Sequence, residues 1–517
     1  MDFEENIVGR KIPKEINGRK LRPFKGIGIE PIPDRKTATK IRRRLPGEKK
    51  LLKSIEEAII KSGLKDGMTI SFHHHFRGGD KLMNMIIKQI AEMGIKNLTL
   101  APSSIHPVHA PLIKYIEEGV ITNIQCGVTG PVGDAISRGK LKGLLIVRSH
   151  GGRARAVEDG DCHIDVCFIG APTADEFGNL NGVEGKQACG PLGYMVPDAQ
   201  YADMVIAVTN NIVPFPCSNI SINQNHVDYV VHIKNPIGDP AGIVSGTTRI
   251  TCDPIRIKIA RNCVKVIEAS RLLKKGFSFQ SGAGGISLAV TQFLGERMRE
   301  KEIQGSFGMG GSTSALVRLL EEGLFKRILD VQAFDREAIR SLKDNSSHIE
   351  IGASQYANIH SSGAAVNVLD TVVLGATEVD INFNVNVVTE SDGRILHGIG
   401  GHQDTSEGAK LSIIAIPLLR GRNPVIVDRV TTVTTPGMNI DVIVTDYGIA
   451  LNPKSTYYRK LKRNKTIQYK TIKELRDIAY KLVGGPPDPI PFKDRIVAII
   501  ENRDGTVLDI VRQVMDK

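Results

Sequence analysis

The sequence contains no tryptophan, and aromatic residues make up only 5% of its 517 positions. Proteins that stack nucleic-acid bases need exposed aromatic side chains, so this composition disfavours such a binder. The chain contains no run of about eighteen apolar residues, which argues against a membrane-spanning helix. Its first residues, MDFEENIVGRK, do not form a secretory signal. The sequence therefore predicts a cytoplasmic protein that binds neither membrane nor nucleic acid.

Closely spaced cysteine pairs are also absent. The seven cysteines include no CxxC motif, and Cys162 and Cys167 have four residues between them in CHIDVC. Structural zinc sites and dithiol redox sites typically use closely spaced pairs. We therefore expect reduced and mostly buried thiols.

Positive charge exceeds negative charge. The formal net charge is +12 with a pI of about 9.2, and part of the excess lies in residues 35–50, RKTATKIRRRLPGEKK. Such a cluster is typical either of a solvated surface or of an arm that attracts a polyanion or an acidic protein. No recognised nucleic-acid motif follows it, so nucleic acid is disfavoured and the other interpretations stay open.

The chain is too long for a single hydrophobic core, and it contains an internal repeat. Residues 66–101 and 276–309 both read as strand, glycine-rich loop, amphipathic helix and strand. A second similarity relates residues 163–182 to residues 439–453, because each segment contains a predicted strand with the letters IDV. Strands that alternate with helices predict α/β domains with open, mostly parallel sheets. We predict a basic N-terminal arm at 1–50 and two similar domains at 51–245 and 246–517.

Two motifs in the second half combine a carboxylate with a glycine turn. GATEVD offers Glu378 on a predicted strand, and GIGGHQD offers Gly400 and Gly401. A carboxylate facing bare amides suits chemistry at an acyl group, because the amides stabilise a developing oxyanion. The structural alternatives are a carboxylate that anchors a loop and a simple tight turn. His402 and Asp404 follow the turn and are expected to orient it or to bind substrate.

A histidine-rich loop follows the first predicted strand. In an extended segment His73 and His75 share one face and His74 lies on the other, with Arg77 close behind. Arg77 suits a two-pronged contact with a carboxylate. Neutral histidines also bind zinc, but no further ligand follows at a typical spacing. We expect these four residues to bind substrate and no metal; structural histidines are the alternative.

Two further glycine-rich loops, SGAGG at 281–285 and GMGGSTS at 308–314, precede predicted helices. Backbone amides at a helix N-terminus bind anions. Neither loop is a GxGxxG dinucleotide motif, and GMGGSTS lacks the lysine of a P-loop. We therefore predict a site for the phosphate groups of a ligand at Gly282, Gly284, Gly285, Gly310, Gly311 and Ser312.

Six motifs together resemble the alpha subunit of bacterial citrate lyase, within the coenzyme A transferase superfamily. They are SFHHHFRGGD, GKQACGPLGY, SGAGG, GMGGSTS, GATEVD and GIGGHQD. The histidine triplet with its Phe, Arg and glycine pair is specific to that subunit, whereas the last two motifs are shared with other coenzyme A transferases and hydrolases. The similarity extends over nearly the whole chain, including the arm.

The resemblance implies a transferase that exchanges citrate for acetate on an acyl-carrier thioester. The acyl carrier (gamma) subunit supplies a coenzyme-A-like prosthetic group, which the glycine loops would contact, and a beta subunit cleaves the citryl thioester. This chain is therefore expected to hold no cofactor of its own and to work in an oligomer.

Glu378 matches the glutamate that coenzyme A transferases acylate. In the citrate lyase branch, the resemblance instead implies direct attack by the substrate carboxylate and a mixed anhydride. The alternatives for the whole chain are a free coenzyme A transferase or acyl-CoA hydrolase of the same fold, and a non-catalytic assembly or ligand-sensing protein.

Overall fold

The computed structural model describes residues 1–28, 37–244, 250–282 and 284–515. The predicted domain boundary at 245/246 lies outside the described residues, as do Ala283 of SGAGG and Arg35 and Lys36 of the basic cluster.

Two large sheets form the fold, and both are mostly parallel, as the sequence predicts. In spatial order, the described strands of the first sheet are Val507–Val514, Phe492–Glu501, Leu145–Val147, Ile121–Gln125, Leu98–Leu100, Thr69–Ser71, Val166–Gly170, Met204–Thr209, Tyr229–His232 and Leu51–Leu52. Those of the second are His348–Glu350, Phe325–Ala333, Gly305–Ser312, Ser278–Ser281, Thr371–Leu374, Leu411–Ala415, Val442–Val444 and Ile449–Leu451. The first two strands of the first sheet and the last two of the second pair antiparallel.

Seven strands recur in the same order in both sheets, which confirms the predicted duplication. Of these seven strands, the first along the chain lies beside the fifth in each sheet: Thr69–Ser71 pairs with Val166–Gly170, and Ser278–Ser281 pairs with Thr371–Leu374. The strand order reverses at this pair in each sheet. Open α/β sheets bind ligands beyond the carboxyl ends of the strands at such a switch point.

Central strands such as Val166–Gly170 and Leu411–Ala415 are buried at every position. Full burial is expected of a parallel sheet covered on both faces. The described helices are α1 Ile55–Ser62, α2 Leu82–Glu92, α3 Leu112–Glu117, α4 Pro131–Ser137, α5 His150–Glu158, α6 Val196–Tyr201, α7 Pro254–Ala269, α8 Gly285–Glu300, α9 Ser314–Glu321, α10 Arg336–Asp344, α11 Ala353–Ala357, α12 His402–Gly408, α13 Tyr458–Lys462 and α14 Ile472–Val483.

A small three-stranded sheet follows the fifth strand in each unit. The first contains Leu180–Asn181, Thr173–Asp175 and Ile212–Val213, and the second contains Val385–Asn386, Glu378–Asp380 and Ile426–Val427. Short strand pairs complete the described strands: Phe3–Glu5 with Lys11–Pro13, Glu15–Ile16 with Arg19–Lys20, Ser104–Ile105 with Gly127–Val128, and Leu419–Arg420 with Asn423–Pro424.

The second sequence similarity, between the IDV segments, matches two strands that do not occupy corresponding positions in the two sheets. Val166–Gly170 corresponds in sheet position to Thr371–Leu374, whereas Val442–Val444 corresponds to Tyr229–His232. The shared letters IDV reflect a common position at the start of a buried parallel strand, where Asp165 accepts from the Thr69 N–H at 2.7 Å and Asp441 accepts from the Ser412 N–H at 2.8 Å. The true counterpart is marked by the hairpin that follows each fifth strand.

The C-terminal residues do not stay with the second sheet. Strand Phe492–Glu501 pairs with Leu145–Val147 and so extends the first sheet at its edge. A unit that runs from 246 to 517 therefore contributes its last strands to the first unit.

The N-terminal arm packs on these last strands. Val507 donates its N–H to the carbonyl of Arg22 at 2.7 Å, and Ile12, Ile16 and Leu21 lie in one apolar cluster with Ile499. An edge strand needs such cover, because its free backbone groups otherwise pair with other chains.

The basic cluster is partly anchored to the first unit. Arg42 ion-pairs with Asp228, and the ammonium of Lys50 donates to the carbonyls of Gln224 and Val227 at 2.6 and 2.7 Å. These contacts attach the arm to the protein, whereas Arg43 remains exposed.

The cysteines and the helices were the subject of two predictions from features that the sequence lacks. All seven cysteines are free and all but Cys252 are buried, which agrees with the expectation of mostly buried thiols. In the described ranges, every helix is too short or too polar to cross a bilayer.

Candidate active site

A cavity of about 540 Å³ lies where the two switch points face each other. Strand ends and turns of both units line it, including Ser103 and Gly127 of the first and Gly282 and Gly375 of the second. The side chains that reach it include His74, Arg77, His106, Arg148, His150, Tyr194, Gln280, Gln332, Tyr356, His397, His402 and Arg420.

His74 joins the two units at the cavity wall. Its Nδ1 lies 2.6 Å from the Ser103 hydroxyl, and its Nε2 lies 3.1 Å from Oε1 of Gln332 in the second unit. The Gln332 amide also donates to the carbonyl of His74 at 3.2 Å. Because that bond fixes the amide orientation, Nε2 carries the proton and Nδ1 accepts from the hydroxyl.

His74, His150 and Tyr194 form a stack beside the cavity. The His74 and Tyr194 ring centroids are 5.0 Å apart, and those of His150 and Tyr194 are 4.2 Å apart. Burial lowers the pKa of His150 to about 3 and holds the pKa of His74 well below its usual range. These histidines therefore serve as neutral donors and acceptors at pH 7.

His73 and His75 do not line the cavity. Their rings lie 4.2 Å apart on the buried side, which confirms that they share a face opposite His74. Nε2 of His73 lies 2.9 Å from the carbonyl oxygen of Gly170, across the switch point, and burial lowers its pKa to about 4. His75 is fully buried, and neither ring nitrogen has a hydrogen-bond partner among the described residues. The geometry favours the structural interpretation for these two histidines.

In the described parts of the chain, the histidine triplet does not belong to any group of side chains whose ligand atoms lie close enough to share a metal ion. His163, Asp165 and Asp203 have ligand atoms close enough to share an ion, and they lie near the surface, where Lys40 ion-pairs with Asp203.

Arg77 is partly buried at the cavity. Its guanidinium lies 4.4 Å from the Phe334 ring centroid, and Nη1 makes one long hydrogen bond, 3.3 Å, to the carbonyl of Ile243. Burial lowers its pKa to about 10, so it stays charged at pH 7. No acidic side chain in the described ranges pairs with it. A sequestered charge of this kind is stabilised when an anion binds.

The cavity is positive and lacks acids. None of the described lining residues is Asp or Glu. Of its arginines, Arg148 is neutralised by Glu501, with Nε 2.5 Å from Oε2. The cavity therefore offers a site for substrate carboxylates and holds no carboxylate of its own to be acylated.

Gly400 and Gly401 present bare backbone to the cavity. Gly400 has a φ of +62°, which favours glycine, and a Cβ there would approach His150 to 4.0 Å. Neither glycine N–H donates to a protein acceptor within the ranges that the structure covers. At Gly401 a Cβ would lie 2.3 Å from the Tyr356 hydroxyl, so no larger residue fits without movement.

The first unit holds this turn in place. Asp404 accepts from the Ser149 hydroxyl at 2.8 Å and from the Gly151 N–H at 2.9 Å, at the start of α5. His402 lines the cavity and is fixed by Thr435 at 2.8 Å and by the Gly375 carbonyl at 3.1 Å. Asp404 thus holds the turn in place through the first unit, and His402 lies within reach of a ligand in the cavity.

Glu378 is not brought to the cavity. Its carboxylate accepts from the Asn386 amide at 3.0 Å and from the N–H of Thr431 at 2.8 Å. It faces a different cavity, of about 410 Å³, which also exposes Arg429 and Phe492. The strand that carries Glu378 is short, Glu378–Asp380, because the chain turns after Asp380. The geometry favours the loop-anchoring alternative for Glu378.

The first unit repeats this hairpin. Asp380 accepts from the Asn384 amide at 3.1 Å, and Asp175 accepts from the Asn179 amide at 2.7 Å. Thr173 occupies the place of Glu378. The shared spacing, an Asp followed by Asn four and six residues later, was visible in the sequence and identifies GATEVD as part of a structural repeat.

The glycine loops divide between cavity and core. Gly282, Gly284 and Gly311 line the cavity. Gly285 begins α8, Gly310 packs against Gln280, and Ser312 is buried with its hydroxyl bonded to Asp330. GMGG lies inside strand Gly305–Ser312 rather than in a loop. A glycine-rich segment in a strand often marks close packing, and Phe334 fills that space at Gly311.

Several cavity residues were not found from the sequence. His150 and Tyr194 stand in SHGGR and GPLGY, where a glycine pair or turn follows a buried strand, and Gln332 ends a strand of the second unit. Strand ends carry ligand contacts in this fold class. The pairing of Gln332 with His74, however, spans 258 residues and has no local signal.

The duplicated sheets, the facing switch points and the glycine turn define a protein of the coenzyme A transferase fold. A 4-hydroxybutyrate coenzyme A transferase from Porphyromonas gingivalis has this fold, with a TM-score of 0.53 and 16% identity over 84% of this chain and 97% of that one. At this identity the likeness concerns the fold alone.

The sequence profile of the family "citrate lyase, alpha subunit" matches residues 48–514. The citrate lyase alpha chain of Escherichia coli K12 is 49% identical over 470 residues, which cover 91% of this chain and 92% of that protein. A crystal structure of the putative alpha subunit of citrate lyase from Streptococcus mutans in complex with citrate has a TM-score of 0.95 and 49% identity over 99% of this chain and all of that one. The chain belongs to the citrate lyase alpha-subunit family, and it is a transferase subunit.

Proposed function

We propose that this chain exchanges the acetyl group of an acyl-carrier thioester for citrate, which yields citryl carrier and free acetate. The observation that carries the proposal is Arg77, a charged side chain that pairs with no acidic residue in the described ranges, at a cavity whose described lining contains no carboxylate. The resemblance to proteins named citrate lyase alpha chain supplies the substrate.

Citrate is a trianion, so it fits a cavity whose described lining is positive and contains no acidic side chain. The Arg77 guanidinium offers the planar pair of donors that suits a carboxylate. Neutral His74 and His402 add hydrogen-bonding groups without changing the charge, since burial keeps both pKa values low.

The absence of a described lining carboxylate favours direct attack over an acylated enzyme. A citrate carboxylate oxygen attacks the acetyl carbonyl carbon, the C–S bond breaks, and the thiolate leaves with the bonding electrons. The thiolate then attacks the citryl carbonyl carbon of the mixed anhydride, the bond from that carbon to the bridging oxygen breaks, and acetate leaves with the bridging oxygen and the bonding electrons. The nucleophile in each step, a carboxylate and then a thiolate, is already an anion and no proton is transferred, so no general base is required.

The free N–H groups of Gly400 and Gly401 are proposed to stabilise the oxyanion in both steps. Loss of one such donor typically raises the barrier by about 3 kcal/mol. A Cβ added at Gly284 or Gly375 would meet no atom within 4 Å. These two glycines therefore leave room for the arm that carries the thioester.

The proposal includes partners and location. The thioester is carried on the coenzyme-A-like prosthetic group of an acyl carrier (gamma) subunit, and a beta subunit cleaves the citryl product, so the chain works in a cytoplasmic hetero-oligomer. The family membership does not favour a free coenzyme A transferase, an acyl-CoA hydrolase or a non-catalytic scaffold.

The test incubates the purified chain with acetyl-CoA and labelled citrate, and follows label in the thioester fraction. Citrate-dependent transfer of label supports the proposal. Acetate release without citrate indicates a hydrolase, and the absence of both reactions, repeated with acetylated carrier, would contradict the proposal.

A further inference from the structure

A second group of arginines lies at the rim of the cavity. Arg420 is exposed, lines the cavity beside Gly282 and Gly284, and donates from Nη2 to the carbonyl of Ala376 at 2.8 Å. That bond holds the guanidinium at the rim, because Ala376 itself lines the cavity.

Two further arginines extend this rim. Arg422 is exposed in the two-residue turn that follows Arg420. Arg256 is exposed in the first turn of α7, whose start meets the start of α8 through the Thr251 N–H and the Gly285 carbonyl at 3.4 Å. We call Arg256, Arg420 and Arg422 the arginine rim.

The charges of the arginine rim are poorly neutralised. Arg256 has one half-exposed partner, Asp253 at 3.4 Å, and neither Arg420 nor Arg422 pairs with an acidic side chain in the described ranges. Burial, and then the nearby Arg256 charge, lower the pKa of Arg420. Like charges held together at a cavity mouth attract a multiply charged anion.

We propose that the arginine rim binds the phosphate groups of the thioester donor, a diphosphate-bearing, coenzyme-A-like arm. This inference rests on the proposed function and adds a second anion site to it. Arg77 is partly buried and belongs to the first unit, whereas Arg420 and Arg422 are exposed and belong to the second. The division suits a donor whose thioester enters the cavity while its phosphates remain at the solvent edge.

The geometry replaces part of the sequence-based expectation. Gly310, Gly285 and Ser312 were predicted to contact phosphate, but they do not line the cavity. The exposed guanidinium groups supply the charge that the glycine loops lack, and Gly282 and Gly284 then provide space rather than the principal contact.

The first experiment measures binding to the full chain by calorimetry, with coenzyme A and with pantetheine, which lacks the diphosphate. Wild type is expected to bind coenzyme A at least tenfold more tightly than pantetheine. Arg420→Ala, and more strongly Arg256→Ala with Arg420→Ala, should remove that difference, whereas Arg420→Lys should retain most of it. Arg318→Ala, at an exposed position on α9, is the matched control and should behave as wild type.

The second experiment measures exchange kinetics with acetyl-CoA and citrate varied separately. Arg420→Ala should raise KM for acetyl-CoA about tenfold and leave KM for citrate and kcat near wild type. The acetyl-CoA KM of wild type should rise with salt, and that dependence should weaken in the variant.

Equal wild-type affinity for coenzyme A and pantetheine would overturn the proposal that the arginine rim binds phosphate groups. Unchanged coenzyme A binding in both variants would overturn it as well. A rise confined to the citrate KM would also overturn it, because Arg420 would then belong to the citrate site. Failure of the proposed function is separate: it appears as absent exchange in wild type, while the calorimetric comparison still tests the rim.

Discussion

The backbone N–H of His150 donates to the carbonyl oxygen of Gly400 at 2.9 Å. Because the carbonyl and N–H of a trans peptide point in opposite directions, this bond fixes the direction of the Gly401 N–H. A residue of the first unit therefore orients the proposed oxyanion donor of the second. The two halves of the duplicated fold form one site through backbone as well as side-chain contacts.

Asp404 supports this orientation through Ser149 and Gly151, so it is expected to act as a positioning residue. Asp404→Asn replaces one acceptor with a donor and should lower kcat at least about tenfold, with both KM values within about twofold of wild type. Steady-state exchange kinetics check this. Ser406→Ala, which removes only a hydroxyl bonded within α12 at 3.2 Å, is the control and should retain wild-type rates. A rise in KM with unchanged kcat would contradict the positioning role.

Gly401→Ala should lower the exchange rate at least about a hundredfold, because the added methyl group would lie 2.3 Å from the Tyr356 hydroxyl. Gly401→Val should be at least as damaging, since a β-branched side chain also restricts the backbone. Removal of the hydroxyl leaves the nearest ring atom 3.3 Å away. Combining Gly401→Ala with Tyr356→Phe should therefore recover part of the rate. A wild-type rate in Gly401→Ala would remove the oxyanion assignment.

Arg77→Lys should raise KM for citrate about tenfold or more and leave KM for the acetyl thioester unchanged. Lysine keeps the charge but loses the planar pair of donors. Kinetics with the two substrates varied separately decide the matter, and Lys81→Ala, at an exposed position four residues away, serves as control. A change limited to the thioester KM would move Arg77 to the carrier side of the cavity.

Glu378→Gln should leave exchange within about threefold of wild type, because the carboxylate lies away from the cavity. Its bonds to Asn386 and Thr431 should instead make the variant less stable by about 1–3 kcal/mol. Thr431→Val removes the Thr431 hydroxyl, which donates to Oε1 of Glu378 at 3.2 Å, but keeps the backbone N–H, and it should show a smaller loss in urea unfolding. A hundredfold loss of activity with unchanged unfolding would restore the catalytic interpretation of Glu378.

His75 should make the protein less stable in acid. Burial holds the pKa of His75 well below its usual value of 6.5. The unfolded chain therefore binds a proton that the folded chain excludes, so stability present above pH 6.5 is lost as pH falls. Between pH 7.5 and 5.5 this residue accounts for on the order of 1 kcal/mol.

His75→Phe should reduce the pH dependence of the free energy of unfolding by that amount, measured with urea at both pH values. His232→Phe, at an exposed position, is the control and should change the dependence little. An identical pH dependence in wild type and His75→Phe would show that His75 is protonated in the folded protein.

The sequence determined the fold class through local regularities. The apolar spacing of Leu82, Ile86 and Ile90 predicts α2, because helical periodicity places those side chains on one buried face. The repeat of residues 66–101 at 276–309 predicts the duplicated sheets for the same reason. These features depend on neighbours within a few turns of chain, so one sequence suffices to find them.

The sequence also singled out His74, Arg77 and the glycine turn, which line the cavity, because strand ends and glycine turns mark ligand sites in α/β folds. It could not show that His73 and His75 face away, because alternation along an extended segment divides the triplet without telling which face is buried. The sequence left two roles open for Glu378 for a related reason. A carboxylate at a strand end looks the same whether it meets substrate or anchors a loop.

Only the tertiary structure decided which distant groups meet. His74 contacts Gln332 across 258 residues, and Arg148 meets Glu501 across 353. The last strands return to the first sheet, and Arg420 comes to the same cavity as Arg77. Such contacts are fixed by how two packed sheets face each other. That arrangement follows from burial summed over the whole chain rather than from any local pattern.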